Sequence, residues 1–272
     1  MARITSFQGL GCLVTGASAG IGWEMALQLA AEGARLVLTA RREDRLRELA
    51  EACKAAGAQV VYVLPADLGD RDAPAWIAEQ ATNHLGHVDV LLNNAGFGKA
   101  GLFHKAPRER LLEMIQVNVT ASVDLAHRLL PGMLERDKGA ILNVASMAAY
   151  QPAPYTSTYG ATKAFLLEWS GGLHQEYKES GVIISALCPG VTDTEFFDVA
   201  GWGNMSGFLN NRMSTARVAT VGLDALRKGR MEAMPGLLNR FAIFTQRFLP
   251  RTWVASVSRR LMGGRPYPSR TP

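Results

Sequence analysis

Cysteine is scarce in this chain of 272 residues. Its three cysteines, Cys12, Cys53 and Cys188, lie far apart and form no Cys-x-x-C pair. Disulfide frameworks and structural zinc sites need paired or closely spaced cysteines. We therefore expect neither a disulfide framework nor a bound metal, and we predict three reduced, mostly buried thiols.

Long apolar runs are also missing. Residues 4–23 are uncharged and contain an Ala-Ser-Ala that mimics a signal-peptidase site, but five glycines interrupt them. The longest unbroken apolar stretch there is Cys12-Leu13-Val14. A signal peptide needs roughly 7–15 consecutive apolar residues, and a membrane-spanning helix needs about 20. A cytoplasmic location is therefore expected.

Acidic residues are nearly absent from the last part of the chain. Residues 227–272 carry ten Arg or Lys against Glu232 alone, a balance of +9, while the rest holds 19 basic and 23 acidic side chains. The positive net charge of +5 therefore comes from the tail, because acidic residues outnumber basic residues in the rest of the chain. We expect no nucleic-acid partner.

Apolar strands and helical segments alternate along the body of the chain. Strands are predicted at residues 10–15, 35–39, 59–64, 88–92, 140–144 and 182–187, and helices at 21–33, 43–56, 70–84, 108–130 and 159–178. This alternation predicts an α/β fold with a single doubly wound parallel sheet, Rossmann-like, that binds ligands at the carboxyl ends of its strands. We expect residues 1–228 to form this domain. Residues 229–272 are predicted to add a basic, amphipathic helical tail that is not an independent domain.

The first predicted strand runs into a glycine-rich turn. Gly16, Gly20 and Gly22 are spaced as G-x-x-x-G-x-G, and the turn opens a predicted helix. Glycines permit a tight turn and a close approach to a pyrophosphate, while the N–H groups and dipole of the helix favour the anion. In this context the pattern favours a dinucleotide site over a purely structural turn.

The end of the second predicted strand bears on the choice of nicotinamide cofactor. It reads Thr39-Ala40-Arg41-Arg42, with no carboxylate before Glu43. A carboxylate at this place takes the ribose 2′-OH of NAD, whereas a guanidinium takes the 2′-phosphate of NADP. We therefore expect NADP(H) to be favoured over NAD(H), with Arg41 as the phosphate ligand. The alternative is a solvated helix start, which is the interpretation given to Arg42.

Tyr159 and Lys163 stand four residues apart on one predicted helix. This spacing places an ammonium group beside a phenol. A phenol, whose usual pKa is about 10, exchanges a proton near neutrality only if a cation stabilises its phenolate. Lys163 is a candidate for that cation.

Together these motifs resemble the short-chain dehydrogenase/reductases over about residues 8–195. The shared features are TGASAGIG, the NNAG at 93–96, Asn118, Ser146, Tyr159-x-x-x-Lys163 and Pro189-Gly190, in the family's order and spacing. The resemblance implies that Tyr159 is the general acid/base and that Lys163 lowers its pKa and holds the nicotinamide ribose. It also implies that Ser146 orients the substrate oxygen and that Asn118 holds a water of a proton relay.

The resemblance further implies a set of cofactor contacts. Asp67 would contact the adenine, and the loop after Pro189 would close over the nicotinamide. The candidate cofactor-binding residues are Gly16, Ser18, Gly20, Ile21, Gly22, Arg41, Asp67, Leu68, Asn94, Gly96, Tyr159, Lys163, Pro189, Gly190, Thr192 and Thr194. In the family, helices at about 108–130 and 155–179 usually pair across subunits, which implies a homodimer or homotetramer.

Aromatic residues set among glycines follow the matched region. Phe196, Phe197, Trp202 and Phe208 have the composition of a mobile apolar lid over a site.

Further on, an apolar stripe at helical spacing ends at Pro250, and a second short helix is predicted around residues 253–262. The stripe is formed by Leu237, Phe241, Phe244 and Phe248, with Arg240 and Arg247 displaced toward another face. We interpret it first as core or subunit contact. Weak contact with a membrane surface and a second lid for an apolar substrate are the alternatives.

These features favour an NADP(H)-dependent oxidoreductase. It would transfer a hydride between nicotinamide and a carbonyl or secondary alcohol on a fairly apolar small molecule. One alternative is a dehydrogenase of a small hydroxy acid or amino alcohol, which the lid aromatics count against. Another is a non-catalytic NADP-binding regulator.

Overall fold

The computed structural model describes residues 4–196, 200–201 and 212–262. Within these residues one seven-stranded parallel sheet has the order β3-β2-β1-β4-β5-β6-β7. The strands are β1 (Gly11–Thr15), β2 (Arg35–Ala40), β3 (Val60–Pro65), β4 (Val90–Asn93), β5 (Gly139–Val144), β6 (Val182–Leu187) and β7 (Glu232–Ala233). The predicted doubly wound, Rossmann-like sheet is confirmed.

Helices cover both faces of the sheet. They are α1 (Gly20–Ala31), α2 (Glu43–Ala56), α3 (Ala73–Leu85), α4 (Arg108–Ile115), α5 (Ala121–Glu135), α6 (Ser157–Glu176), α7 (Thr215–Arg227), α8 (Leu237–Gln246) and α9 (Arg251–Leu261). One face carries a core that includes Met25, Leu29 and Leu223, and the other carries a core that includes Ile77 and Leu125. Every residue of β1, β4, β5 and β6 is buried, as expected for parallel strands covered on both sides.

The continuous helix predicted over 108–130 is divided in the structure. Helix α4 ends at Ile115, Gln116–Thr120 forms a π-helical turn, and α5 begins at Ala121. A π turn adds one residue to a single turn. Over so short a stretch the resulting shift is not distinguished from ordinary helical spacing, so the sequence pattern does not predict the turn.

The pattern beyond Pro189 predicts neither α7 nor β7. Strand β7 has only two residues, but it pairs with β6 in the sheet, so the sheet extends past the boundary expected at residue 228. In the tail, α8 and α9 form where the apolar stripe and the second short helix are predicted. No helix among the described residues is long and apolar enough to span a bilayer.

The three cysteines, Cys12, Cys53 and Cys188, are buried free thiols, as predicted.

The strand order places a crevice at the carboxyl ends of β1 and β4, where the direction of strand addition reverses. Doubly wound sheets bind ligands at this switch point. Thr15, the last residue of β1, ties the two ends together. Its Oγ1 donates to the Leu92 carbonyl (3.1 Å) and accepts from the N–H groups of Asn94 and Ala95 (3.0 Å each).

Candidate active site

A cavity of about 1080 Å³ opens along this edge of the sheet. The strand ends bring nearly all of the predicted site residues to its wall. Those present are Gly16, Ser18, Gly20, Ile21, Arg41, Asp67, Leu68, Asn94, Gly96, Ser146, Tyr159, Lys163, Pro189, Gly190, Thr192 and Thr194. The two others, Gly22 and Asn118, contact wall residues from behind.

The glycine turn has the geometry of an anion cradle. Gly16 and Gly20 have φ angles of 62° and 61°, which favour glycine. Helix α1 follows without a side-chain cap at Ala19 and without an acidic residue in its first turn. Its first N–H groups and positive dipole end therefore remain available to a phosphate.

Asn94 shapes this turn. Its Nδ2 donates to the carbonyls of Thr15 (2.9 Å) and Gly16 (3.1 Å). Both amide hydrogens are thus used within the protein, and the side chain fixes the shape of the turn. A Cβ atom on Gly22 would lie 2.4 Å from the same Nδ2 and 2.6 Å from the Gly16 carbonyl oxygen.

Gly22→Ala is therefore expected to damage stability and nucleotide binding together. Over-packing of this kind costs about 1–3 kcal/mol, which denaturant unfolding would measure, and displacement of Asn94 should weaken NADPH binding measured by fluorescence. Gly172→Ala is the matched control, because a Cβ there meets nothing within 4 Å and alanine favours a helix interior. Equal effects of the two changes would contradict the packing argument.

Two arginines follow β2 and turn into the cavity. Arg41 lies with its Nη1 3.9 Å from Asp67 Oδ2 and 3.8 Å from Glu113 Oε1. Arg42 contacts the Ser18 carbonyl (3.3 Å) and hydroxyl (3.4 Å) and pairs with Glu195 at 3.0 Å.

Sequence reasoning assigned Arg42 to a solvated helix start and missed its place at the glycine turn. Both guanidiniums are about half exposed and line the cavity. The position of Arg42 could have been found from the parallel pairing of β1 with β2. That pairing aligns Thr15 with Thr39, so the residues that follow the two strands lie close together.

Tyr159 and Lys163 lie one turn apart on α6, and both are nearly completely buried. The Ser146 hydroxyl, just after β5, lies near enough to the Tyr159 phenol to lower its pKa, and it accepts from the Ala148 N–H at 3.1 Å. Lys163 Nζ donates to the Val144 carbonyl at 2.7 Å and lies 5.8 Å from the centroid of the Tyr159 ring. The structure thus brings the predicted hydroxyl, phenol and ammonium into one group.

Burial dominates the pKa values in this group. It raises the pKa of Tyr159 to about 12, and the neighbouring Ser146 hydroxyl acts in the opposite direction. The part that the resemblance implies for Lys163 in lowering the pKa of the phenol stays a prediction. Burial also lowers the pKa of Lys163 to about 8, so burial shifts both groups toward their uncharged forms.

Asn118 lies in the π-helical turn and is completely buried. Its Oδ1 accepts from the Phe97 N–H, and its Nδ2 donates to the Phe97 carbonyl and to Thr162 Oγ1, each at 3.0 Å. The side chain therefore fixes the segment after β4 against α6. Its implied part in a proton relay stays a prediction.

Another part of the cavity wall comes from the tail, for which the sequence analysis gave a second lid only as an alternative. Several of its residues belong to α8 and α9 or directly follow α9, namely Leu237, Leu238, Asn239, Ala242, Ser258, Leu261 and Met262. The Thr156 hydroxyl, just before α6, lies 3.8 Å from Met262 Sδ. The tail thus closes over the site, which is the lid alternative of the sequence analysis.

One aromatic of the predicted lid falls at the site. The ring centroids of Phe196 and Tyr159 are 5.1 Å apart. Phe197, Trp202 and Phe208 lie outside the described residues.

A family model described as short chain dehydrogenase matches residues 11–201. The chain belongs to the short-chain dehydrogenase family. This short-chain dehydrogenase/reductase is therefore an oxidoreductase, and its glycine turn and Ser146, Tyr159 and Lys163 all fall within the matched segment.

A curated relative is the ketoacyl reductase HetN of a Nostoc species, 36% identical over 187 residues that cover 69% of this short-chain dehydrogenase. The match spans 65% of that relative's own length, which is under two thirds.

Solved structures match nearly the whole chain. A short-chain dehydrogenase from Sphingobium yanoikuyae in complex with NADPH is 30% identical, with a TM-score of 0.78, and the match covers 96% of this chain and 97% of that one. A bulky-bulky ketone specific alcohol dehydrogenase from Comamonas testosteroni is 25% identical, with a TM-score of 0.74 and coverage of 96% of both chains.

Proposed function

We propose that this short-chain dehydrogenase/reductase uses NADP(H) to interconvert a carbonyl and a secondary alcohol on a fairly apolar small molecule. The observation that carries the proposal is the composition of this cavity. Its sheet side holds a phosphate cradle, two arginines and the Ser146, Tyr159 and Lys163 group, and its tail side is uncharged and mostly apolar.

The described residues fit a nicotinamide dinucleotide. The turn from Gly16 to Gly20 and the start of α1 would hold the pyrophosphate, Asp67 the adenine end, and Lys163 the nicotinamide ribose. Arg41 and Arg42 offer charge-assisted donors to a 2′-phosphate, and the structural relative solved with NADPH supports this choice of cofactor. When bound, the cofactor supplies or accepts a hydride.

The chain's own part in the reaction is to orient the carbonyl and to deliver a proton. With a pKa of about 12, the Tyr159 phenol carries its proton at neutral pH and can donate it to the developing alkoxide in the reductive direction. The Ser146 hydroxyl, held by the Ala148 N–H, would donate a hydrogen bond to the same oxygen. Burial of both Tyr159 and Lys163 keeps bulk water away from this proton.

The rate of reduction is expected to fall as pH rises through about 8. Lys163, with a pKa of about 8, is an ammonium below that pH and a neutral amine above it, so its positive charge is lost on the alkaline side. A kcat/KM profile for NADPH-dependent reduction between pH 6 and 10 measures this. Lys163→Arg keeps the charge and should remove the fall, whereas a flat wild-type profile would contradict the assignment.

The substrate class follows from the tail side of the cavity. None of the residues that α8 and α9 contribute to the lining is charged. A small hydroxy acid would need a cation there, so this alternative is less well supported. The relatives named as a ketoacyl reductase and as a bulky-bulky ketone specific alcohol dehydrogenase are consistent with a carbonyl on an extended or bulky molecule.

NADPH consumption with ketones and aldehydes of graded length tests the proposal. We expect kcat/KM to rise with chain length. Ala242→Phe, which fills the tail side, should lower kcat/KM for long ketones by about tenfold or more, the value of one or two lost apolar contacts, and leave short ones nearly unchanged. Absence of turnover with every carbonyl, together with normal NADPH binding, would favour the non-catalytic regulator.

We infer that residues 1–228 and the tail act as one unit, because α8 and α9 form part of the cavity wall.

We also propose that the chain forms a homodimer or homotetramer through α4 and α6. Leu112 and Ile115 on α4 and Phe165 on α6 are exposed apolar side chains, which supports this proposal. Three free buried thiols fit a reducing compartment such as the cytoplasm.

A further inference from the structure

The outer side of the tail is a second, separate feature. Seven large apolar side chains, each at least half exposed, form what we term the α8–α9 face: Leu237, Phe241, Phe244, Phe248, Trp253, Val257 and Leu261. Exposed apolar patches of this kind mark surfaces for a protein or membrane partner.

The face has the regular spacing of an amphipathic surface. On α8 its members recur three or four residues apart, and on α9 they recur four apart, so each set lies on one side of its helix. The other side of each helix packs inward through Ile243 on α8 and through the buried Val254 and Ser258 on α9. The rings of Phe244 and Phe248 are 5.4 Å apart, edge to face.

The helices that form this face carry exposed arginines and no acidic residue. Arg247, Arg251, Arg259 and Arg260 are exposed, and no carboxylate occurs in residues 233–272. Within the part of the chain that the structure describes, none of these four arginines forms an ion pair. Their charge is therefore available to an external partner.

We propose that the α8–α9 face docks on an anionic lipid surface. Exposed aromatic and aliphatic side chains on helices that also carry exposed, unpaired arginines match the boundary between acyl chains and anionic headgroups. A second copy of this chain fits less well. A two-fold contact places the same patch on both sides, and it would oppose the arginines of one copy to those of the other without an Asp or Glu in residues 233–272 of either copy.

The cavity lies next to the α8–α9 face, which bears on how a substrate would enter it. Leu237 and Leu261 belong to the α8–α9 face and also line the cavity, so the cavity borders this face. An apolar carbonyl compound dissolved in the lipid would then lie close to the cavity. This consequence rests on the proposed function, whereas the docking does not.

Flotation of the full chain with vesicles tests the docking without cofactor or substrate. We expect binding to phosphatidylcholine vesicles that contain phosphatidylglycerol, little binding to phosphatidylcholine alone, and release as salt is raised. Arg251→Gln/Arg259→Gln/Arg260→Gln should weaken binding on the order of 100-fold, at about fivefold for each basic residue near the surface. Phe244→Ser/Trp253→Ser should weaken vesicle binding at low and high salt alike, because burial of apolar side chains in the lipid is not screened by salt.

Two control variants make the same chemical changes elsewhere. Arg47→Gln/Arg108→Gln/Arg128→Gln removes an equal charge from exposed arginines, and Phe103→Ser/Trp76→Ser removes an exposed Phe and an exposed Trp. Both should bind vesicles like the wild type.

Three results would overturn the proposal. One is equal binding by tail and control variants, and another is no vesicle binding at any composition. The third is a dimer in sedimentation velocity that Phe244→Ser/Trp253→Ser dissociates while vesicles do not bind, which would assign the face to a second copy. Failure of the proposed reaction would appear separately, as absent NADPH oxidation with vesicle binding intact.

Discussion

Tyr159→Phe is expected to lower kcat for carbonyl reduction by roughly 10²–10⁴-fold, the usual contribution of a positioned general acid. The change removes the phenolic proton that is assigned for transfer to the substrate oxygen at neutral pH. The Kd of NADPH should change by less than about twofold, because the hydroxyl donates a proton but does not hold the dinucleotide. Steady-state assays and NADPH fluorescence titration measure the two quantities.

The controls separate chemistry from folding. Tyr177→Phe, at the end of the same helix and outside the cavity lining, should keep wild-type kcat. Lys163→Ala should weaken both NADPH binding and turnover, since this ammonium is assigned to the ribose as well. Substantial turnover by the Tyr159→Phe variant would contradict the proton-donor role, and loss of its NADPH binding would indicate misfolding.

Removal of either arginine after β2 is expected to shift the cofactor preference. One charge-assisted contact to a 2′-phosphate is worth about 1.5–3 kcal/mol, so Arg41→Ala should raise the KM for NADPH by roughly 10- to 150-fold with little effect on NADH. Arg42→Ala should do the same, because Arg42 already reaches the glycine turn through Ser18. The ratio of kcat/KM for NADPH to that for NADH measures the shift.

Arg47→Ala is the matched control for both changes, since Arg47 lies on α2, pairs with Glu43 and is absent from the cavity lining. It should leave the cofactor ratio unchanged. A wild-type protein that already prefers NADH would show that the NADP(H) assignment is wrong.

The cavity side formed by the sheet could be predicted because its parts are local. A buried apolar strand, the glycine turn that follows it and the i, i+4 pair of Tyr159 and Lys163 each occupy a few consecutive residues. Their meeting at one edge then follows from the rule that parallel strands end together. The π-helical turn at Asn118 and the short strand β7 were not predicted from the sequence, because each is too short to produce a periodic pattern of its own.

The sequence by itself determined the fold class and the family, and nearly all of the site residues that it predicted line the cavity, since backbone conformation and strand alternation depend on neighbouring residues. Only the tertiary structure decided that Arg42 returns to Ser18, that burial raises the pKa of Tyr159, and that α8 and α9 close the cavity while exposing an apolar face. The physical reason is distance along the chain. Thr156 and Met262, which meet at the cavity, are 106 residues apart, and such contacts are set by strand register and helix packing, which no local pattern encodes.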